Sequence, residues 1–300
     1  MAHFKRHAKM RNLLLMLLVI FIHLYSFSQS DTTFKLIPNW EKGEMRKYEI
    51  KNYSVVDAEG ERKVNGVTTK TIIVQVVDVN DKFFEINWKT EQLIFSDTIN
   101  IDNPLSGLMN TLDKDISVRY TLNKNGEIVS FLNIEEISQT IKSKVDSVLK
   151  AFIENNNIEK SKAEMLNFQF SMMFSSDEQI KTIVLSDILK FHQLYGYSFT
   201  TNQATTIPDN IFAPNPNGKP SNNLELECTK IDKKKICYIA GALKCAETDT
   251  RLREFIEKDR IIKNTYEFQL PENWLISHKS IVNVGGYASF NNTYEINLIK

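Results

Sequence analysis

Apolar residues return at every second position in well-separated segments of this chain, and between those segments the period changes to three and four. A period of two belongs to strands with one face buried and one wet, so the chain is committed to sheet on both sides of a helical insert. Phe84, Ile86 and Trp88 alternate in one segment, and Ile116, Val118, Tyr120 and Leu122 alternate with Ser117, Arg119 and Thr121 in the next. Leu224, Leu226 and Cys228, then Tyr266, Phe268 and Leu270, then Tyr294, Ile296 and Leu298 repeat the pattern towards the C-terminus. Ile72, Val74 and Val76, with Ile73 and Val77, fill both faces of a further strand. Asn125-Gly126 follows the second segment directly and predicts a hairpin, because both residues tolerate positive φ.

Residues 134–195 read as helices. Ile134, Ile137, Ile141, Val145, Val148, Leu149 and Phe152 recur at helical spacing, and so do Ile180, Ile183, Val184, Ile188, Phe191 and Tyr195. Asn133 with Glu136, Ser161 with Glu164 and Ser175 with Glu178 have capping-box spacing, and Gly196 stands where a left-handed C-cap belongs. Residues 197–222, with Pro208, Pro214, Pro216 and Pro220, predict a long surface loop, and residues 249–262 a short helix. The expected fold class is α+β: one large curved antiparallel sheet of about nine or ten strands, a half barrel, wrapped on a central group of helices. An outer-membrane barrel is disfavoured, because the helical block interrupts the strands and Lys300 is not a girdle aromatic.

The first 28 residues read as a secretory signal peptide. Lys5, Arg6, Lys9 and Arg11 lead into an unbroken apolar run at 13–22, and Ser26-Phe27-Ser28 supplies small residues for cleavage. The run is too short to span a bilayer comfortably. The mature chain, 29–300, is then expected to be a single α+β domain in the periplasm or outside the cell, without a membrane span. Taking away four basic residues leaves 33 Lys+Arg against 37 Asp+Glu, a formal charge of −4, which is no footprint for nucleic acid.

Three segments carry a resemblance: Trp40-Glu41-Lys42-Gly43-Glu44 with Tyr48; Leu122 to Glu127 continuing into Asn133-Ile134-Glu135-Glu136-Ile137; and Leu270-Pro271-Glu272-Asn273-Trp274-Leu275. Together they resemble a family of uncharacterised exported proteins of Bacteroidota. At the level of fold alone, the element order is similar to the half-barrel lipoprotein carriers of the bacterial envelope, whose curved sheet encloses an apolar cavity. No site residue carries over from them, and fold analogy does not establish function.

Candidate sites are few. Cys228 and Cys237 face each other if the hairpin turns around Asp232-Lys233, and an oxidising compartment would favour a disulfide there; two buried free thiols are the alternative. Cys245 shares their face. After the leader only His192 and His278 remain, and a structural role outweighs a catalytic one for both. Glu135/Glu136, Asp113/Asp115 and Glu225/Glu227 read as solvated faces or caps. No metal or cofactor motif is present, and no catalytic residue is assigned. Met165, Phe168, Phe170, Met172, Met173 and Phe174 crowd one helix with apolar bulk all round, which predicts burial on more than one side and an adaptable surface for an apolar ligand. The expected function is non-enzymatic binding of an apolar or amphiphilic ligand, such as a lipid, between sheet and helices. The alternative is a structural or interaction module of the envelope with a packed core, and a hydrolase with dispersed residues ranks last. An apolar cavity beside residues 165–174 separates the first reading from the second.

Overall fold

The structure is a computed structural model that describes residues 32–58, 61–96, 116–155, 157–209, 222–245, 260–284 and 289–299. The expected signal peptide, the Asp113/Asp115 pair, the Cys245 side chain and the expected helix at 249–262, apart from its last residues, lie outside the described residues. The fold belongs to the compact unit Phe34–Lys300.

The chain is α+β. Its strands are β1 (Thr33–Lys35), β2 (Met45–Ala58), β3 (Glu61–Val79), β4 (Phe83–Ser96), β5 (Ser117–Asn123), β6 (Ile128–Phe131), β7 (Ser198–Thr200), β8 (Ala204–Asp209), β9 (Asn222–Ile231), β10 (Ile236–Cys245), β11 (Arg260–Gln269), β12 (Trp274–Val284) and β13 (Ser289–Ile299). Three helices, α1 (Ile134–Asn155), α2 (Lys160–Met173) and α3 (Asp177–His192), lie between β6 and β7. Eleven strands form one antiparallel sheet in the order β6-β5-β4-β3-β2-β13-β12-β11-β10-β9-β8, while β1 pairs with β7. The sheet is open, with β6 and β8 as unjoined edges. Two meanders, β2–β6 and β8–β13, are stitched together along β2 and β13, with Ile50 opposite Ile296. The helical insert therefore leaves one edge of the sheet and returns at the other.

Alternation selects the buried face as expected. Phe84, Ile86 and Trp88, Val118, Tyr120 and Leu122, and Tyr294 and Ile296 are all buried in one core with Leu185, Ile188 and Phe191 of α3. A smaller cluster joins Ile141, Val145 and Leu149 of α1 to Leu166 and Phe170 of α2, with Phe174 and Ile180.

Several local expectations are corrected. Ser198–Thr200 and Ala204–Asp209 are strands inside the expected loop; β8 is an edge strand, where Pro208 needs no ladder N–H and threonines are favoured. Asn133 does not cap α1 with its side chain: Oδ1 accepts from the Arg119 amide at 2.8 Å and Nδ2 donates to the Ser117 carbonyl at 2.8 Å, clamping β5 instead. The cap of α3 is Ser176, one residue later than the spacing suggested, accepting from the Gln179 amide at 3.2 Å. Helix α2 has no side-chain cap, and Ser161 lies within it. In the β5–β6 turn Gly126 alone takes positive φ, at 89°.

Candidate functional site

Helix α3 lies across the sheet, and its two ends meet different surroundings. Past its C-terminus, Trp40 stacks on Trp274 with ring centroids 4.1 Å apart and meets Tyr195 edge-on at 5.5 Å. Buried phenols need partners, and here they find carbonyls: Tyr195 donates to Asn273 at 2.6 Å and Tyr48 to Leu275 at 2.9 Å. A Cβ at Gly126 would lie 2.7 Å from both Pro38 and Tyr195. The segments around Trp40, Gly126 and Trp274 thus converge on one aromatic plug.

His192 belongs to the plug. Its Nε2 lies 2.8 Å from the Tyr120 hydroxyl, and burial lowers its pKa to about 3. His278 stacks on Tyr266 at 4.2 Å, and burial, aided by the Lys190 charge, lowers its pKa to about 3 as well. Both rings are neutral at pH 7 and sit in separate clusters. Among the described residues no group of three or more His, Cys, Asp or Glu is placed to hold a metal ion.

The face of α3 from Ile180 to Lys190 is different. A partly open pocket of about 410 Å³ lies between it and β2, β3, β4 and β13. Ile116, Ile141, Phe174, Ile180, Val184 and Leu93 line its apolar part. The volume falls within the range usual for small-molecule sites. A depression of about 620 Å³ on the sheet, by contrast, is bordered largely by charged and polar side chains such as Lys47, Lys89 and Glu91.

The other end of the pocket is polar, and sheet register builds it. Tyr294, Asn52 and Thr68 stand side by side on β13, β2 and β3. The next inward row is Ile296, Ile50, Lys70 and Leu93. Facing these rows, α3 presents Asp187 and Lys190. Lys70 Nζ lies 3.1 Å from Asp187 Oδ2, and the Tyr294 hydroxyl donates to Asp187 Oδ1 at 3.0 Å. Lys190 Nζ stands 3.8 Å from the centroid of the Tyr294 ring, a cation–π contact. Burial alone would raise the Asp187 carboxyl, but the charges of Lys70 and Lys190 and the two hydrogen bonds outweigh it and hold the pKa below the ordinary carboxylate value. Burial also lowers Lys190, partly offset by Asp187.

Sequence reasoning passed over this cluster although its placement was readable. Asp187 is three residues after Val184 and four before Phe191, on the apolar stripe of its helix. Lys70 continues the parity of the fully buried Ile72, Val74 and Val76. A charge that shares a buried face demands a partner.

Of the six apolar residues expected to contact ligand, Phe174 lines the pocket and Phe170 lies in the adjoining core. Met173 packs against that core, while Met165, Phe168 and Met172 are exposed at 55%, 66% and 58%. The expectation of burial on more than one side of α2 is corrected: the helix packs through Leu166 and Phe170, and its opposite face meets water.

Cys228 and Cys237 are free thiols with sulfurs 3.5 Å apart. Their register differs from the expected one. The turn is wider, with Asp232 Oδ1 accepting from the Lys234 and Ile236 amides, so Cys228 pairs with Ile239 across a bulge and reaches Cys237 diagonally. The neighbouring sulfur, then burial, push the Cys237 thiol up.

No family model and no curated protein sequence matches the chain. Among solved structures, the chain is similar to one titled "Lipid-protein interactions in lipovitellin", with a TM-score of 0.46 and 8% identity, covering 87% of this chain. The chain spans about a quarter of that structure's length, 26%. Among the described residues no helix is long and apolar enough to cross a membrane, which leaves strand-built spans unaddressed.

Proposed function

We propose that this protein is an exported envelope protein that binds an apolar or amphiphilic small molecule between its sheet and α3. The observation that carries the reading is the pocket of about 410 Å³, apolar along one part and polar at the other. Well-packed cores rarely leave space on that scale.

In this reading the sheet bends around the helices as a half barrel. Ring contacts support the bend: Phe84 on β4 lies 6.0 Å from Trp40 and Trp274 on β12 lies 4.1 Å from it, so the two rings are within roughly 10 Å. Four strand spacings separate β4 from β12, about 19 Å on a flat sheet. Export is supported by the leader-like residues 1–28. In an oxidising compartment the Cys228 and Cys237 thiols are proposed to give up their two hydrogens to a thiol oxidant and bridge, which intact masses with and without reductant would reveal.

The test is native mass spectrometry of protein purified from its own envelope, followed by thermal unfolding of the delipidated protein with and without added amphiphile. A bound mass and a raised melting temperature are expected. A clean apo mass together with an unshifted transition would overturn the reading. A second reading, an interaction module, is favoured by the exposed stripe of Met165, Phe168 and Met172; it requires self-association that Phe168→Ser abolishes in analytical ultracentrifugation.

A further inference from the structure

We infer that the pocket takes a single-chain amphiphile with an anionic headgroup, carboxylate or phosphate, seated head-out at Lys70 and Lys190 with its tail towards Phe174 and Ile141. This rests on the reading of the pocket as a ligand site and specifies its ligand.

The two ends of the site are set apart by the helix itself. Ile180 and Lys190 are ten residues apart on α3, about 15 Å along its axis. Around Ile180 the lining is aliphatic and aromatic, from Ile116, Ile141 and Phe174. Around Lys190 it is polar; Asn52 at that end is exposed to solvent, as are Thr182 and Ile183 on the helix, and of these openings the polar one is the mouth for a charged head. A head held there keeps part of its hydration, so an ionised group avoids the full cost of burial.

The sign of the head follows from the lining. Among the described residues, two ammonium groups and one carboxylate border the mouth. Both oxygens of that carboxylate are engaged, one by Lys70 and one by the Tyr294 hydroxyl, so it offsets one ammonium charge and the cluster stays net positive among the described residues. An anionic head arriving beside Lys70 and Lys190 gains charge-assisted hydrogen bonds, about twice as strong as those to a neutral head. A cationic head would meet two like charges.

Donors continue behind the mouth. Ser280 is the cross-strand neighbour of Tyr294, and Asn264 is the neighbour of Ser280. Both are buried, and Asn264 Nδ2, Ser280 Oγ and the adjacent His278 Nδ1 have no hydrogen-bond partner among the described residues. Orphaned polar atoms of this kind are rare in finished cores. They cluster behind Tyr294 without lining the pocket, and among the described residues the plug holds partnerless atoms too, at Trp40 Nε1, His192 Nδ1 and Asn273 Oδ1.

The test compares three probes of equal chain length on the delipidated full chain at pH 7.5: dodecanoate, dodecan-1-ol and dodecylamine, by displacement of a fluorescent probe. Dodecanoate is expected to bind about tenfold tighter than the alcohol, with a preference that shrinks as salt rises, and the amine weakest. Dodecyl phosphate should match dodecanoate if charge alone is read, and either order between the two acids supports the inference. Lys190→Gln should bring acid and alcohol within about threefold of each other. If that variant fails to fold, the wild-type ranking and its salt dependence decide. Equal binding of acid and alcohol, or tighter binding of the amine, overturns the headgroup and leaves the apolar-ligand reading standing. Failure of every probe overturns both.

Discussion

The two ends of α3 rest on the same sheet and are finished in opposite ways. Beyond His192, indole and phenol rings interlock, and the Tyr195 and Tyr48 hydroxyls reach backbone carbonyls at Asn273 and Leu275. Around Ile180 and Val184 the neighbours are mostly branched aliphatics, with Phe174 the one aromatic ring among the described lining residues there, and space for a small molecule is left. Large flat rings tile a corner where strands and loop converge, whereas short branched chains cannot reach across the gap between a helix and a sheet. The first end specifies the fold; the second is where stability is not maximised, a common mark of a site.

If that contrast is real, perturbing the plug must cost far more than perturbing the pocket. Trp274→Ala removes the ring stacked on Trp40 and should destabilise by about 3–5 kcal/mol, read from the urea midpoint. Gly126→Ala puts a Cβ against Pro38 and Tyr195 at positive φ and should cost about 2–4 kcal/mol. Wild-type mobility of this turn would show the plug to be loose.

Acid separates the ends next. His192 and His278 have folded pKa values of about 3, against an unfolded value near 6.5. The unfolded chain takes up protons first, so stability is complete above about pH 6.5 and drains as pH falls towards 3, at about 1.4 kcal/mol per pH unit for each histidine. His192→Gln should halve that slope in chemical denaturation between pH 6 and 4. The lowered Asp187 carboxyl adds a loss only at lower pH, as it protonates.

Val184→Phe fills the pocket and should change stability by less than about 1 kcal/mol while abolishing ligand-induced thermal shift; a large penalty would mean the space is already packed. Phe168→Ser, on the exposed face of α2, should fall within about 0.5 kcal/mol of wild type, a null that marks this face as outside both ends.

Much of the plug was legible beforehand. Trp40, Asn125-Gly126 and Asn273-Trp274 stood out as segments, although nothing in one dimension said that they meet. The pocket was harder to read. Met165, Phe168 and Met172 have bulk at helical spacing, which suggests burial, but α2 is covered on one side only. Asp187 and Lys70 are 117 residues apart, and no local pattern joins them. Pro208 hid β8, since proline argues against a central strand but not against an edge.

Sequence by itself determined the periods, and through them the helical block and the buried face of the strands that alternate, because side-chain parity and helical spacing are local properties of the backbone. Tertiary structure alone decided that β2 joins β13, that the helical insert crosses the sheet from edge to edge, and that Lys70, Asp187, Lys190 and Tyr294 share one mouth. Those juxtapositions depend on strand order and register between residues more than a hundred positions apart, which no local pattern encodes.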